Sequence, residues 1–192
     1  MTTPEETAPP PGLRFAPIHY FVEAIKILRW DDEAVRRASR DNNSLLYGFL
    51  ILAIAPALPL GLMTLQNLGL GYPVPWNLVL RGYAVALLFA LVWIFLQIGL
   101  AHLLAKVLSE AKGTYIAIMR AYLLGQLFQW LAVVPFVGGL LSGVGGIAVL
   151  MLTFEEVDGI ERMKAFGLAT AIGVAFWILS ILVATSVLRP VR

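Results

Sequence analysis

The sequence predicts an all-α protein: a polytopic transmembrane helical bundle of five spans, with an N-terminal amphipathic interfacial helix. Three observations predict it. Hydrophobic residues are 59% of the 192-residue chain and charged residues only 14%, whereas a soluble domain carries roughly 25% charge. Mean hydropathy is +0.83, too apolar for a chain that must face water on all sides. Finally, the uncharged runs are long enough to cross a hydrocarbon core roughly 30 Å thick, which takes about 20 helical residues.

Residues 1–14 read as a disordered, Pro-rich tail, because Pro9-Pro10-Pro11-Gly12 cannot continue a helix. No basic region precedes an apolar stretch here, so the first span is expected to act as an uncleaved signal anchor. Residues 15–43 read as a cytoplasmic amphipathic segment. Ile18, Val22, Ile25 and Arg29 follow a 3–4 residue spacing, with Phe15, Phe21 and Leu28 nearby. Lys26, Arg29, Trp30, Arg36, Arg37 and Arg40 are its candidate membrane-surface contacts. The same pattern suits a helix packed on its own membrane domain, so both readings stay open.

Residues 44–192 read as the five-span membrane domain. Asp41-Asn42-Asn43-Ser44 is an N-cap cluster ahead of span one, at about 45–68. Pro56 and Pro59 inside that span should kink or end the regular helix. Span two is at about 82–104. Ala121–Phe154 then carries no charge across 34 positions. One helix of that length would rise about 51 Å, too long for a core of roughly 30 Å. Pro135-Phe136-Val137-Gly138-Gly139 supplies turn residues, so the run reads as a hairpin of two spans, about 115–134 and 139–154. Glu155–Lys164 reads as a solvated turn, and span five as about 165–188.

Orientation follows from the Lys/Arg bias. A cytoplasmic N-terminus puts ten basic residues inside and three outside. A four-span arrangement gives the same ten and three, so the hairpin rests on length and on its Pro/Gly cluster. The expected location is a bacterial inner membrane, with the C-terminus outside.

Polar residues at membrane depth are costly and therefore candidates for function. They are Gln97, His102, Arg120, Gln126 and Gln129. No carboxylate lies deep in a span, which weighs against a proton relay. His102 has no carboxylate near it in sequence, a poor metal site, so the favoured role is a hydrogen bond to a neighbouring helix. Arg120 is expected to snorkel toward the inner face. Gln126 and Gln129 stand at i and i+3. They could line a polar path, but hydrogen bonding between helices is the favoured role. Gly139, Ser142, Gly143 and Gly146 form overlapping small-xxx-small patterns, candidates for helix packing within the monomer or for dimerisation, with the internal role favoured.

The chain has no cysteine and carries no phosphate loop, zinc-protease or serine-hydrolase motif. A non-enzymatic protein is expected, with no cofactor, metal or nucleic acid. The expected partners are the lipid bilayer, other membrane proteins or further copies of the chain. The leading reading is organisation of membrane or partner proteins. A small-solute or ion path through the bundle is the alternative.

Phe89–Ile178 resembles the Yip1 family, particularly its short bacterial members. The matching residues are Gly99-Leu-Ala-His102-Leu-Leu-Ala-Lys106, the turn at Lys112-Gly113, Arg120-Ala121-Tyr122, the break at Pro135–Gly139 and Met163-Lys164-Ala165. Asn43-Ser44-Leu-Leu-Tyr47-Gly48 before span one is similar too. The resemblance implies a five-span bundle with a cytoplasmic N-terminus and an outside C-terminus. The Asp-Leu-Tyr-Gly-Pro signature of eukaryotic members is absent, so Rab binding is not implied.

Overall fold

A computed structural model of the protein describes residues 16–187, with side chains as far as Val183. The tail expected at 1–14 lies outside the described residues, as do Arg189, Arg192 and the expected end of span five at 188.

Two short helices come first. α1 (Pro17–Leu28) starts with proline at its first position, where no amide donor is needed. α2 (Asp32–Arg40) is capped by Asp31, whose carboxylate accepts from the Ala34 amide at 3.0 Å. Its first turn is acidic and its last turn basic, which suits the helix dipole. Asp41 then caps α3 (Asn42–Gly69) by accepting from the Asn43 amide at 2.9 Å.

α3 runs through Pro56 and Pro59, so of the expected kink or end the end does not occur. Each proline removes one amide donor. The carbonyls of Leu52 and Ala55 are left without their usual i+4 partner, a loss membrane helices tolerate where other groups or a cavity meet the freed backbone. α4 (Trp76–Ser109) is longer than the expected 82–104. Pro75 marks its start, and it stops only at Glu110, which has a left-handed φ of 51°.

Span three is a composite. α5 (Tyr115–Leu124) opens on Thr114, whose hydroxyl accepts from the Ala117 amide at 3.3 Å. It then tightens into a 3-10 segment, Gly125–Val133. Phe136 turns the chain with a φ of 66°. α6 (Gly138–Asp158) returns and ends at Gly159, φ 69°. α7 (Arg162–Val187) completes the bundle. The uncharged run is therefore a hairpin, and five helices are long and apolar enough to cross a membrane.

Span three sits at the centre. Ile118, Met119, Tyr122, Leu123, Leu124, Leu127 and Phe128 are all buried. α3 reaches it at Gly48, where an added Cβ would lie 2.6 Å from Leu123 Cβ and 2.7 Å from its backbone carbon. α2 packs on α5 and α6, and α1 packs on the 3-10 segment. Thus the N-terminal helices are docked on the bundle. Tyr20, Glu23, Ala24 and Ile27 face inward, while Ile18, Phe21, Val22 and Ile25 stay exposed.

All five spans begin or end at the end of the bundle where α2 docks, which we term the basic end. The described Lys and Arg side chains belong to segments at that end, apart from Arg81 near the start of α4.

Candidate functional site

A partly open cavity of about 400 Å³ lies among the spans. α3 contributes Leu52, Ala55 and Pro56. α4 supplies Phe89, Trp93 and Gln97, and α7 supplies Phe176, Trp177 and Ser180. Tyr122, Gln126, Phe128 and Gln129 come from span three. Gly139, Ser142, Gly143 and Gly146 come from α6. Three of the five expected polar residues thus line one space, although they sit 29 to 32 positions apart in sequence between Gln97 and the other two.

Local structure explains part of this. In a 3-10 helix, residues i and i+3 eclipse. Gln126 and Gln129 therefore project in the same direction, more closely aligned than an α-helix would allow. Tyr122 is one α-helical turn before Gln126, and its hydroxyl lies beside the Gln126 and Gln97 side chains without meeting the geometry of a hydrogen bond from Gln126 Nε2. A nine-residue 3-10 stretch is unusually long, and such stretches in helices often mark function or strain.

Gln126 is only 1% exposed, yet its Nε2 has no hydrogen-bond partner. An unmet donor between spans forgoes a contact worth about 0.6 kcal/mol on average. Leu52 and Ala55, whose carbonyls lose their i+4 donors at Pro56 and Pro59, are also lining residues. None of the lining residues is charged. The cavity walls are otherwise aromatic and aliphatic, so the space suits a ligand with a polar head and an apolar body.

The glycine pattern divides. Gly146 meets Phe128, whose ring would lie 3.1 Å from an added Cβ. Gly139 and Gly143 have nothing within 4 Å of such an atom and border the cavity instead. Close helix approach falls on Gly48 against Leu123, Gly145 against Phe128 and Gly173 against Ile147. Ser142 bonds its own helix, donating to the Gly139 carbonyl at 3.2 Å.

The other candidates lie at the basic end. Arg120 donates to the Ser39 carbonyl at 3.4 Å and to Asn42 Oδ1, tying α5 to the α2–α3 junction. His102 stacks edge-on against Tyr115 with centroids 6.0 Å apart, but its buried Nδ1 has no partner. The hydrogen bond expected of it is not made at that atom. Lys26 and Arg37 both pair with Glu23, at 2.6 and 3.0 Å, and Arg36 pairs with Glu156. Burial would raise the Glu23 pKa, but bonds from Lys26 and Arg37 outweigh it and hold it below the ordinary value of 4.5. Arg29, Trp30 and Arg40 are exposed.

The expected solvated turn after span four is partly buried. Asp158 is 2% exposed and accepts from the Gly113 amide at 3.0 Å, while its own carbonyl accepts from Lys112. Proximity in the fold, unseen in sequence, converts a loop carboxylate into a clasp between two turns.

Comparisons with protein-family models, with curated proteins and with solved structures give no match. The site must be judged on its own geometry. Sequence reasoning missed Tyr122, Trp93 and Phe176. Only Tyr122 carried a usable signal, its i, i+4 relation to Gln126.

Proposed function

We propose that this is a non-enzymatic integral membrane protein that binds an uncharged amphipathic molecule, such as a long-chain alcohol or glyceride, within its spans. The observation that carries this reading is the unpaired Gln126 amide on the wall of an uncharged cavity. A ligand hydroxyl or ester carbonyl would accept from Gln126, and Gln97 and Gln129 offer further polar groups. The aromatic walls would take the apolar body. An ion would lose its hydration with no opposite charge to meet it, a cost of several kcal/mol.

The cavity favours binding over an open pore. Toward the basic end the lining stops at Leu52, Gln97, Tyr122, Gly146 and Gly173. Beyond them the bundle is close-packed at Gly48 and Leu123. We assign the basic end to the cytoplasm from the Lys/Arg bias. A reporter fused after Arg192 should be active only outside; an inside C-terminus overturns that orientation. A Yip1-type protein of the bacterial inner membrane remains our assignment of kind, supported by the quoted motifs and the five-span count.

The test uses purified protein in nanodiscs and a diazirine-bearing monoacylglycerol as probe. Labelling should map to the cavity-lining peptides and fall in Gln126→Leu and in Gly143→Phe, which fills the space. An anionic diazirine fatty acid should label less. Equal labelling of all three proteins, or preference for the anion, overturns the proposal.

A further inference from the structure

α1 has two apolar faces, and the bundle covers only one. With 3.6 residues per turn, Tyr20, Glu23, Ala24 and Ile27 cluster on the docked side. Ile18, Phe21, Val22 and Ile25 cluster on the opposite side, and all four are exposed, Ile18 at 79%. An ordinary surface helix would place polar residues there.

We propose that this outer face of α1 is embedded in one leaflet of the bilayer, at the boundary between headgroups and hydrocarbon. Depth supports it. The Ala16 amide donates to the Tyr47 hydroxyl at 2.8 Å, which ties the start of α1 to α3. The 22 residues of α3 beyond Tyr47 rise about 33 Å, close to the roughly 30 Å of a hydrocarbon core. Tyr47 therefore stands near the edge of the core, and α1 with it. Continuity supports it too. Phe21 lies 5.8 Å from the Trp130 ring, and Trp130 belongs to span three and donates to the Ile51 carbonyl of α3 at 3.0 Å. The exposed face of α1 therefore adjoins the surface of the spans.

The end of the helix fits the same depth. Trp30 takes a φ of 65°, a strained conformation for a bulky L-residue, and its indole is exposed. Arg29 beside it is exposed and makes no ion pair among the described residues. Tryptophan and arginine together suit headgroup depth. A protein partner is a poorer fit, since four side chains fall short of the roughly 800 Å² per partner of a stable interface. The paired charges of Glu23, Lys26 and Arg37 lie off the centre of this stripe, and Arg29, the unpaired charge in line with it, stands past its C-terminal end, where headgroups can meet it.

The chain has no cysteine, so single-cysteine variants take a nitroxide at one place only. Full-length protein would be labelled at Ile18→Cys, Val22→Cys and Ile25→Cys and placed in nanodiscs of phosphatidylcholine and phosphatidylglycerol. Leu88→Cys on a span and Glu33→Cys on α2 serve as lipid and water references. Electron paramagnetic resonance then reads collisions with oxygen and with a soluble nickel chelate. At all three sites, oxygen access should approach that at Leu88, and nickel access should be about fivefold below that at Glu33, as for a helix 5–10 Å into the interface. Nickel access equal to Glu33 would mean water and overturn the proposal. Low access to both reagents would mean a protein cover and overturn it as well.

Discussion

The two ends of this bundle differ in what surrounds their buried polar groups. At the basic end several are closed by side-chain and backbone partners, although His102 Nδ1, Arg120 Nε and one oxygen each of Glu155 and Asp158 make no hydrogen bond among the described residues. Asp158 takes the Gly113 amide, Glu23 takes Lys26 and Arg37, and Tyr20 donates to Asp41 at 2.5 Å. Toward the other end, Gln97, Gln126 and Gln129 converge on open space, and the Gln126 donor is unmet. Packing follows the same division. At the basic end α3 touches the span-three backbone at Gly48, whereas Gly139 and Gly143 at the other end touch nothing. The first region is built for stability, and the second keeps polar groups available. Polar residues within spans therefore cannot be judged by type alone.

Four experiments would break or sharpen that contrast. The largest effect is expected at Gly48. Gly48→Leu must push α3 away from the Leu123 backbone, with a loss on the order of 3 kcal/mol or failure to fold. Gly139→Leu enters open space and should change the thermal midpoint in detergent little by comparison. Equal losses at the two sites would erase the distinction.

Next comes Asp158→Ala. It leaves the Gly113 amide without its acceptor and should cost about 1–3 kcal/mol by thermal unfolding. An unchanged midpoint would mean that the clasp contributes nothing.

The docking of α1 should depend on pH in a defined window. Glu23 has a depressed pKa, so its contribution is present above 4.5 and is lost as pH falls through its lower folded value. Tyr20 is pushed up to about 12 by burial, with its bond to Asp41 adding to this. Its contribution is present below 10 and is lost as pH rises from 10 to about 12. A nitroxide at Phe21→Cys should therefore gain mobility at both extremes. Glu23→Gln should remove the acid limb only. Persistence of that limb in Glu23→Gln would assign it to another group.

The smallest stability effect is expected at the cavity. Gln126→Leu should move the midpoint by no more than about 0.6 kcal/mol in either direction, the average worth of a polar contact between spans. It should nevertheless lose most labelling by the uncharged probe. A large destabilisation with labelling intact would make Gln126 a packing residue and return the site to the structural class.

Much of the fold was legible because hydrophobic length is a one-dimensional signal. The 34-residue uncharged run was too long for one span, and Pro135–Gly139 sat where a turn was needed. The continuity of α3 through Pro56 and Pro59 was not legible. Proline removes a local bond, but neighbouring spans and the cavity determine whether the helix survives. The Gly139–Gly143 pattern suggested packing because small residues permit close approach. Permission is not contact, and the partner surface there is absent. Conversely, Gly48 drew no notice as a packing site because its neighbour, Leu123, is 75 positions away.

The sequence by itself determined that the chain is all-helical and has five spans, and that a basic, half-apolar segment precedes them. Those properties follow from transfer free energies and helix rise, which act along the chain residue by residue. Tertiary structure alone decided that α1 buries Tyr20, Ala24 and Ile27 yet leaves Ile18 and Val22 bare. It also decided that three glutamines from two spans meet in one cavity. Both outcomes depend on which faces turn toward each other. Composition and periodicity carry no information on that where nearly every face is apolar.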